Sequence, residues 1–453
     1  MNTRTMVGRV SQPAIQLAVA AVALPLFSAF AAAAGICGET PPPTIPAASV
    51  QPPEAARPRA TATDLARAYI ELERAFFAAP VEWELCREVN IAFDDASKLF
   101  FTGDFARVVE IVNAQTARIM EANALDAGVL GTPTAPANEG RPLSEVRVRV
   151  EIAAMMIDAT KHGRSEQDIR DDRSAFIWTE RHSLWSRVGV EGSIESHLFD
   201  ERALGDILCE EYDDITRGQC PYTHHRGDLW RPFFIDDQPA PMRLFCPENR
   251  EPPAAGWPLV IALHGAGGNE HMFFAAYGVG RIKQLAEQHG FVVACPQNSP
   301  FSAQASIFDA LVESIALDYP IDRSRIYLVG HSMGAAVAMA WSKGRHEKIA
   351  ASALIAGAGR LSPRDTLPPT LVIAPELDGL IAAKSIIDNA ERAAAAGVKV
   401  EVREIKDYGH TLVVGHVLPE VIEWLLNHTR EGDAPAPPAP PASPRTAEQG
   451  AAP

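Results

Sequence analysis

The sequence predicts an α/β domain in the C-terminal half of the chain, preceded by a mainly helical segment. Between residues 230 and 428, short and nearly continuous apolar runs alternate with stretches of helical pattern. Such runs are typical of strands buried on both faces, in a mostly parallel sheet covered by helices on both sides. From residue 61 to about 120, apolar residues recur at helical spacing instead. A length of 453 residues leaves room for two or three domains.

Eight apolar runs of the C-terminal half are predicted strands. The first two, joined by a turn at residues 236–241, are expected to form an antiparallel hairpin at one edge of the sheet. Helical patterns fill most of the other intervals, such as residues 282–289, which end at Gly290, and 382–396, which end at Gly397. The predicted strands are residues 230–235, 242–246, 259–263, 291–295, 326–329, 353–355, 371–373 and 398–405.

The N-terminal segment has one clear amphipathic helix, with Leu65, Tyr69, Leu72 and Phe76 on one face and Pro80 just beyond its end. A turn around Gly103-Asp104 is expected to precede a second helical stretch at residues 108–120. We expect this mainly helical domain to span residues 61–225, followed by the α/β domain at residues 226–430. No motif in the first domain indicates its role.

Both ends of the chain differ from these domains in composition. Residues 1–34 have Arg4 and Arg9, a long apolar run and a small-residue end, which is typical of a secretory signal peptide cleaved near Ala34. Residues 35–60 and 431–453 are rich in Pro and Ala and are expected to be disordered. A secreted or periplasmic protein, without stable membrane insertion after cleavage, is therefore expected. A retained membrane anchor is the alternative.

The formal charge of −16 becomes −18 once Arg4 and Arg9 are removed with the signal segment. A protein with this negative charge is not attracted electrostatically to nucleic acid or anionic membranes, which are also negative. Six cysteines would follow cleavage, and Cys209 with Cys220 is the favoured local disulfide in an oxidising compartment. Cys295, at the end of an apolar run, is expected to be a buried free thiol.

The most informative motif is Gly330-His331-Ser332-Met333-Gly334, a Gly-x-Ser-x-Gly pattern between an apolar run and an Ala-rich helical stretch. In that setting the serine lies on a sharp turn from strand to helix, with its oxygen held out above the sheet. The flanking glycines leave room for the turn, and N–H groups at the start of the helix can face a developing negative charge. Ser332 is therefore the candidate nucleophile.

An acid and a histidine follow the serine in the chain. Asp378 ends the run of residues 370–378, and His410 follows the predicted strand at 398–405. His410 would take the serine proton, and Asp378 would hold the histidine in the required tautomer. Alternatives for the acid are Glu376 and Asp407.

The alternative for the histidine is His416, six residues further along the chain. The order serine, acid, histidine is that of α/β-hydrolases.

With these motifs the chain, over about residues 230–428, resembles the α/β-hydrolase superfamily. It is most similar to secreted esterases of the polyhydroxybutyrate-depolymerase and feruloyl-esterase kind and to prolyl-oligopeptidase-like domains. The run ending in His264-Gly265-Ala266 corresponds to the loop that supplies a second oxyanion-hole donor. The resemblance implies backbone N–H groups of Met333 and Ala266 as donors, with Gly265 as an alternative, and a loop-supporting role for His264.

The sequence thus predicts a serine hydrolase that cleaves carboxylic esters through a covalent acyl-enzyme, without a metal or organic cofactor. A prolyl-oligopeptidase-like peptidase and a catalytically idle binding protein are the alternatives. The acidic run 210–214 and the pair His224-His225 could bind a metal, but neither has the ligand spacing of a known site, so solvated or structural roles are expected.

The substrate is expected to be a small-molecule or polymeric ester. The interval between the predicted strands at 353–355 and 371–373 is too short to hold a cap domain. The active site is therefore either open to solvent or roofed by the N-terminal helices.

Overall fold

The computed structural model describes residues 60–130, 166–188, 190, 193–235 and 238–430. The predicted signal peptide, leader and tail lie outside the described residues. Within the described part of the chain, none of the helices is both long and apolar enough to cross a bilayer.

An eight-stranded sheet forms the centre of the fold, in the order β1-β2-β4-β3-β5-β6-β7-β8. β2 runs antiparallel to both β1 and β4, and all other neighbouring pairs are parallel. The prediction of a mostly parallel sheet with an antiparallel edge hairpin is thus confirmed. The strands are β1 (Gly227–Ile235), β2 (Gln238–Cys246), β3 (Trp257–Leu263), β4 (Val292–Pro296), β5 (Ile321–His331), β6 (Ala351–Ile355), β7 (Thr370–Pro375) and β8 (Val400–Ile405).

The turn predicted at residues 236–241 is wrong in length, because the ladder between β1 and β2 continues to the pair Ile235 and Gln238. Pro239 and Pro241 fall in the predicted turn, yet both lie within β2. β4 pairs with β2 only from Met242 onwards. The first half of β2 is therefore an edge, where prolines without an N–H donor are tolerated.

Helices cover both faces of the sheet and enclose two hydrophobic cores. Ile307, Val337 and Ile386 come from three helices that pack on one face, and Ile282 and Val417 from two helices on the other. The helices on the face of Ile307 are α8 (Ala305–Ala316), α9 (Met333–Gly344) and α10 (Ala383–Ala395). Those on the face of Ile282 are α7 (Tyr277–His289) and α11 (Val413–Leu426).

The N-terminal helices include α1 (Ala62–Ala78), α2 (Trp83–Thr102) and α3 (Phe105–Ala122). Thr61 and Asp64 form a capping box at the start of α1. The predicted turn at Gly103 is present, with a left-handed φ of 84° that ends α2. The cluster that joins these helices also contains Leu412, which follows β8. Helices α1–α3 therefore pack directly on the α/β domain.

Three more helices, α4 (Glu166–Trp185), α5 (Ile194–Leu198) and α6 (Glu201–Thr216), precede β1. They enclose an aromatic cluster that includes Trp178, Trp185 and Trp230 of β1. Glu211, in the acidic run, is buried and paired with Arg181 of α4.

The predicted Cys209–Cys220 disulfide is wrong for this structure, in which both residues are free thiols. Cys209 is buried in the aromatic cluster, whereas the Cys220 sulfur lies 2.8 Å from Ser174 Oγ. Cys295 is buried and free, as predicted, and burial raises the pKa of its thiol well above the usual value.

Candidate active site

Ser332 lies on a strained turn between β5 and α9. Its φ of 53° and ψ of −113° are rare for a residue with a side chain, and such strain is concentrated at functional sites. The Ser332 N–H donates to the carbonyl of Ile355 at the end of β6, at 2.9 Å. The turn therefore holds the serine at the carboxyl edge of the central strands, where α/β sheets bind their ligands.

Gly334 shows why this turn needs a glycine two residues after the serine. A Cβ at this position would lie 2.1 Å from the carbonyl oxygen of Leu263, which ends β3. The first turn of α9 can therefore approach the neighbouring strand only without a side chain here. This contact brings Ser332 beside the loop that follows β3.

His410 and Asp378 lie together at the same edge of the sheet. His410 Nδ1 is 2.8 Å from Asp378 Oδ2, and both side chains are buried. The other oxygen of Asp378 accepts N–H bonds from Leu380 at 2.9 Å and Ile381 at 2.7 Å. These two donors fix the carboxylate in its loop, so that one oxygen faces the imidazole.

The turn that carries Ser332 also contacts the histidine loop. His331 Nε2 is 3.0 Å from the carbonyl oxygen of His410, and the two imidazole rings are 5.0 Å apart. Among the described residues, no hydrogen bond joins Ser332 Oγ to His410. Such bonds are often long in unliganded enzymes and shorten when substrate binds. The bond between Asp378 and His410 is therefore formed in this structure, and Ser332 lies on the turn that contacts the His410 loop.

Two backbone N–H groups near Ser332 are available to a ligand. Met333 begins α9, so its N–H has no acceptor within the helix. The Ala266 N–H donates no hydrogen bond to any residue that the structure describes. The Gly265 N–H, the alternative donor, already faces the Tyr277 hydroxyl at 3.5 Å. A Cβ on Gly265 would be 3.4 Å from Ser332 Cβ, so this loop lies against the serine.

His264 is buried behind the same loop rather than beside His410. Its Nε2 accepts the N–H of Asn298 at 3.2 Å, and the Asn298 amide bonds back to the His264 backbone. Burial lowers the pKa of the imidazole to about 4, so the ring is neutral at physiological pH. His264 therefore fixes the loop.

The alternative site residues lie away from the bond between Asp378 and His410. Glu376 and Asp407 both face Arg87 of α2. The ring of His416 stacks on Tyr408 at a centroid distance of 4.1 Å. Within the part of the chain that the structure describes, none of the three forms a hydrogen bond or ion pair with the imidazole of His410.

Two residues that support the serine turn could not be identified from the sequence. The Tyr277 hydroxyl is 2.8 Å from His331 Nδ1, and both side chains are buried. Burial lowers the pKa of His331 well below its usual value, so the ring is neutral and bridges Tyr277 and the His410 carbonyl. His331 lies inside the Gly-x-Ser-x-Gly motif, but nothing in the motif indicates its partners.

The described residues include no group of three His, Cys, Asp or Glu side chains that could hold a metal ion. A cavity of about 820 Å³ lies between the N-terminal helices, β1, β2 and α7, and its lining includes Arg74, Trp185 and Arg243. None of Ser332, Asp378 and His410 lines that cavity.

A family model matches the C-terminal part of the chain. Residues 260–447 match the model of the alpha/beta hydrolase family. No curated protein matches the chain.

Several solved structures are similar to part of the chain. A thermostable esterase is 24% identical over 45% of this chain and 63% of its own, with a TM-score of 0.37. A fluorophosphonate-binding serine hydrolase of Staphylococcus aureus is 15% identical over 45% of this chain and all of its own (100%), with a TM-score of 0.38. The acetyl xylan esterase of Aspergillus awamori is 14% identical over 41% and 93%, with a TM-score of 0.35.

The chain thus spans less than two thirds of the thermostable esterase. The family match begins within β3 and takes in every strand from β4 to β8, together with the serine turn and the loops of Asp378 and His410. The C-terminal part of this chain has the α/β-hydrolase fold.

Proposed function

We propose that the protein is a serine hydrolase that cleaves carboxylic esters through a covalent acyl-enzyme, with Ser332, His410 and Asp378 as catalytic residues. The observation that carries the proposal is the 2.8 Å bond between His410 and Asp378 beside the strained turn of Ser332. A neutral serine hydroxyl is a poor nucleophile and needs a base that an acid keeps in the right tautomer. A buried pair of this kind meets that need.

The reaction has two halves. The Ser332 oxygen bonds to the ester carbonyl carbon while His410 Nε2 takes the serine proton, and the carbonyl oxygen becomes negative. The N–H groups of Met333 and Ala266 would donate to that oxygen, each worth on the order of 3 kcal/mol in the barrier. The bond to the alcohol then breaks as His410 returns the proton to it. Water attacks the acyl-serine with His410 again as base, which releases the acid and restores the serine.

We propose a small-molecule or polymeric ester as the substrate. The interval from β6 to β7 holds no cap, whereas α2 reaches the loop after β3, where the Phe100 ring packs on Gly267. On its N-terminal sequence we further propose that the protein acts outside the cytoplasm. Sequencing the N-terminus of the exported protein, expected at about residue 35, tests this second point.

Labelling with a fluorophosphonate probe tests the nucleophile directly, since the probe phosphonylates an activated serine. We expect the wild type to be labelled, and Ser332→Ala and His410→Ala to remain unlabelled. The matched controls are Ser183→Ala, which removes an exposed serine of α4, and His416→Ala, which removes the other candidate histidine. Hydrolysis of nitrophenyl esters should fall by about 10³-fold or more in both site variants.

The outcomes separate the alternatives. Labelling of His410→Ala but not of His416→Ala would replace His410 as the base. Cleavage of proline-ended amides without cleavage of esters would make the protein a peptidase. A wild type that neither reacts with the probe nor cleaves any member of an ester and amide panel would indicate a catalytically idle domain.

A further inference from the structure

Helix α2 of the N-terminal segment crosses both loops that carry the proposed acid and base. The carboxylate of Asp94 accepts the Gly379 N–H at 2.8 Å, next to Asp378 in the chain. It also accepts the N–H of His410 itself, at 3.1 Å to one oxygen and 3.0 Å to the other. One buried carboxylate therefore bonds the backbone of both loops.

Asn90, one helical turn earlier, holds the histidine loop at a third point. Its side-chain oxygen accepts the Gly409 N–H at 2.7 Å, while its amide nitrogen donates to the Cys86 carbonyl at 2.9 Å. The second bond keeps the amide in the orientation that presents its oxygen to Gly409. Asn90 and Asp94 are four residues apart and so lie on one face of α2.

The fit between α2 and the two loops is close. A Cβ on Gly409 would lie 2.9 Å from an oxygen of Asp94, and a Cβ on Gly379 would lie 3.2 Å from Asp94 Cβ. Both loops therefore approach the helix at glycines, where the backbone can come within hydrogen-bond distance of the carboxylate.

Burying the charged Asp94 carboxylate at this contact costs desolvation free energy. Burial raises the pKa of Asp94 to about 6, even though the N–H donors favour its charged form. Asn90 shows that a neutral acceptor can hold a loop N–H in the same place. A carboxylate has two acceptor oxygens, and here Oδ2 accepts from both loops while Oδ1 adds a second bond to the His410 N–H; an amide has one acceptor oxygen and loses that second bond.

We infer that Asp94 is a positioning residue of the proposed ester hydrolysis, which fixes the distance between the Asp378 and His410 loops by bonding the backbone of both. This inference rests on the proposed function of Ser332, His410 and Asp378. Its consequence is that helix α2, outside the region matched by the family, forms part of the active site. A shift of about 1 Å in a catalytic group can cost about 10²-fold in rate.

The test compares three variants by the kcat and KM of ester hydrolysis. Asp94→Ala removes the bonds that this carboxylate accepts from the two loops. Asp94→Asn keeps one oxygen, which can accept from both Gly379 and His410. Asp95→Ala is the matched control, because Asp95 is the next residue on the same helix, exposed, and paired with Lys98 at 2.8 Å.

We expect Asp94→Ala to lower kcat by about 10²-fold with KM within about threefold of the wild type. Asp94→Asn should recover kcat to within about tenfold of the wild type, and Asp95→Ala should match the wild type. A folded Asp94→Ala protein, judged by circular dichroism and urea unfolding, with the kcat of the wild type would overturn the inference. So would a loss that appears only in KM, or an equal loss in Asp95→Ala.

Asn90→Ala provides a second test should Asp94→Ala fail to fold. It removes only the Gly409 bond, and we expect kcat to fall by about tenfold. Unchanged kcat in Asn90→Ala would then contradict the positioning role of α2.

A readout that needs no ester separates this inference from the proposed function. The proton shared by His410 Nδ1 and Asp378 should give a low-field nuclear magnetic resonance signal, identified by its absence in His410→Ala. We expect the signal to be lost from folded Asp94→Ala or Asn90→Ala as the loops separate and the proton exchanges with water. If the wild type cleaves no substrate, the proposed function fails, and persistence of the signal in both variants would overturn the positioning role as well.

Discussion

Glu73 of α1 is a buried carboxyl group whose ionisation should set much of the pH dependence of stability. It is fully buried, accepts the Tyr69 hydroxyl at 2.6 Å and the Gly278 N–H at 2.9 Å, and thereby joins α1 to the start of α7. Burial raises its pKa from 4.5 to about 7, although both hydrogen bonds act in the opposite direction. The protonated form is therefore favoured by folding.

The sign and size of the effect follow from linkage. A carboxyl with a raised pKa in the folded state contributes stability that is fully present below pH 4.5 and is lost as the pH rises through about 7. At about 1.4 kcal/mol per pKa unit, the free energy of unfolding should decrease by about 3 kcal/mol across that window. Glu73→Gln resembles the protonated carboxyl, since its oxygen can accept from Gly278 and its amide can donate to Tyr69.

The assay is urea unfolding of the wild type and of Glu73→Gln between pH 5 and pH 8, followed by circular dichroism. We expect the unfolding free energy of Glu73→Gln, relative to the wild type, to rise by about 2 to 3 kcal/mol over this range. Glu84→Gln, at an exposed position of α2, controls for the loss of one negative charge. Parallel pH curves for Glu73→Gln and the wild type would refute the reasoning.

Three further predictions concern other parts of the molecule. Asp378→Asn should lower kcat of ester hydrolysis by about 10⁴-fold with little change in KM, because the imidazole is left in the wrong tautomer; a loss below tenfold would exclude Asp378 as the acid. Arg181→Met should cost about 3–5 kcal/mol of stability by leaving Glu211 charged and unpaired in the core, and adding Glu211→Leu should recover most of that loss in urea unfolding. Phe100→Ala should remove the ring that packs on Gly267 and raise kcat/KM for long-chain relative to acetyl esters by about tenfold, and an unchanged ratio would show that the ring does not limit acyl size.

Much of the α/β domain could be predicted from the sequence because its signals are local. The central strands contain short apolar runs, such as residues 326–329 within β5, and the turn of Ser332 has its own motif between strand and helix. The chain order of Asp378 and His410 then followed from a fold in which both come after parallel strands. Strand ends were less predictable, as in β2, whose first residues fall in the predicted turn.

The supports of the site could not be predicted, because their partners are distant in the chain. Asn90 and Asp94 look like ordinary helical residues until the loops they bond are known. One signal was present: these polar residues alternate with Val89 and Phe93 on the buried side of α2, where apolar residues are expected. A pair of polar side chains within an apolar helix face indicates a buried partner, but sequence alone does not say which.

The bonds from α2 to the site loops also bear on when activity can arise. They join residues 285, 316 and 319 positions apart in the chain. Helix α2 can therefore form these bonds only after the loops of Asp378 and His410 have been synthesised. Closing so long a loop has a large entropic cost, and contacts of this kind form late in folding. A partly folded state with a complete sheet would still lack these hydrogen bonds. We therefore expect the proposed hydrolysis to begin only after α2 has packed against the loops of Asp378 and His410.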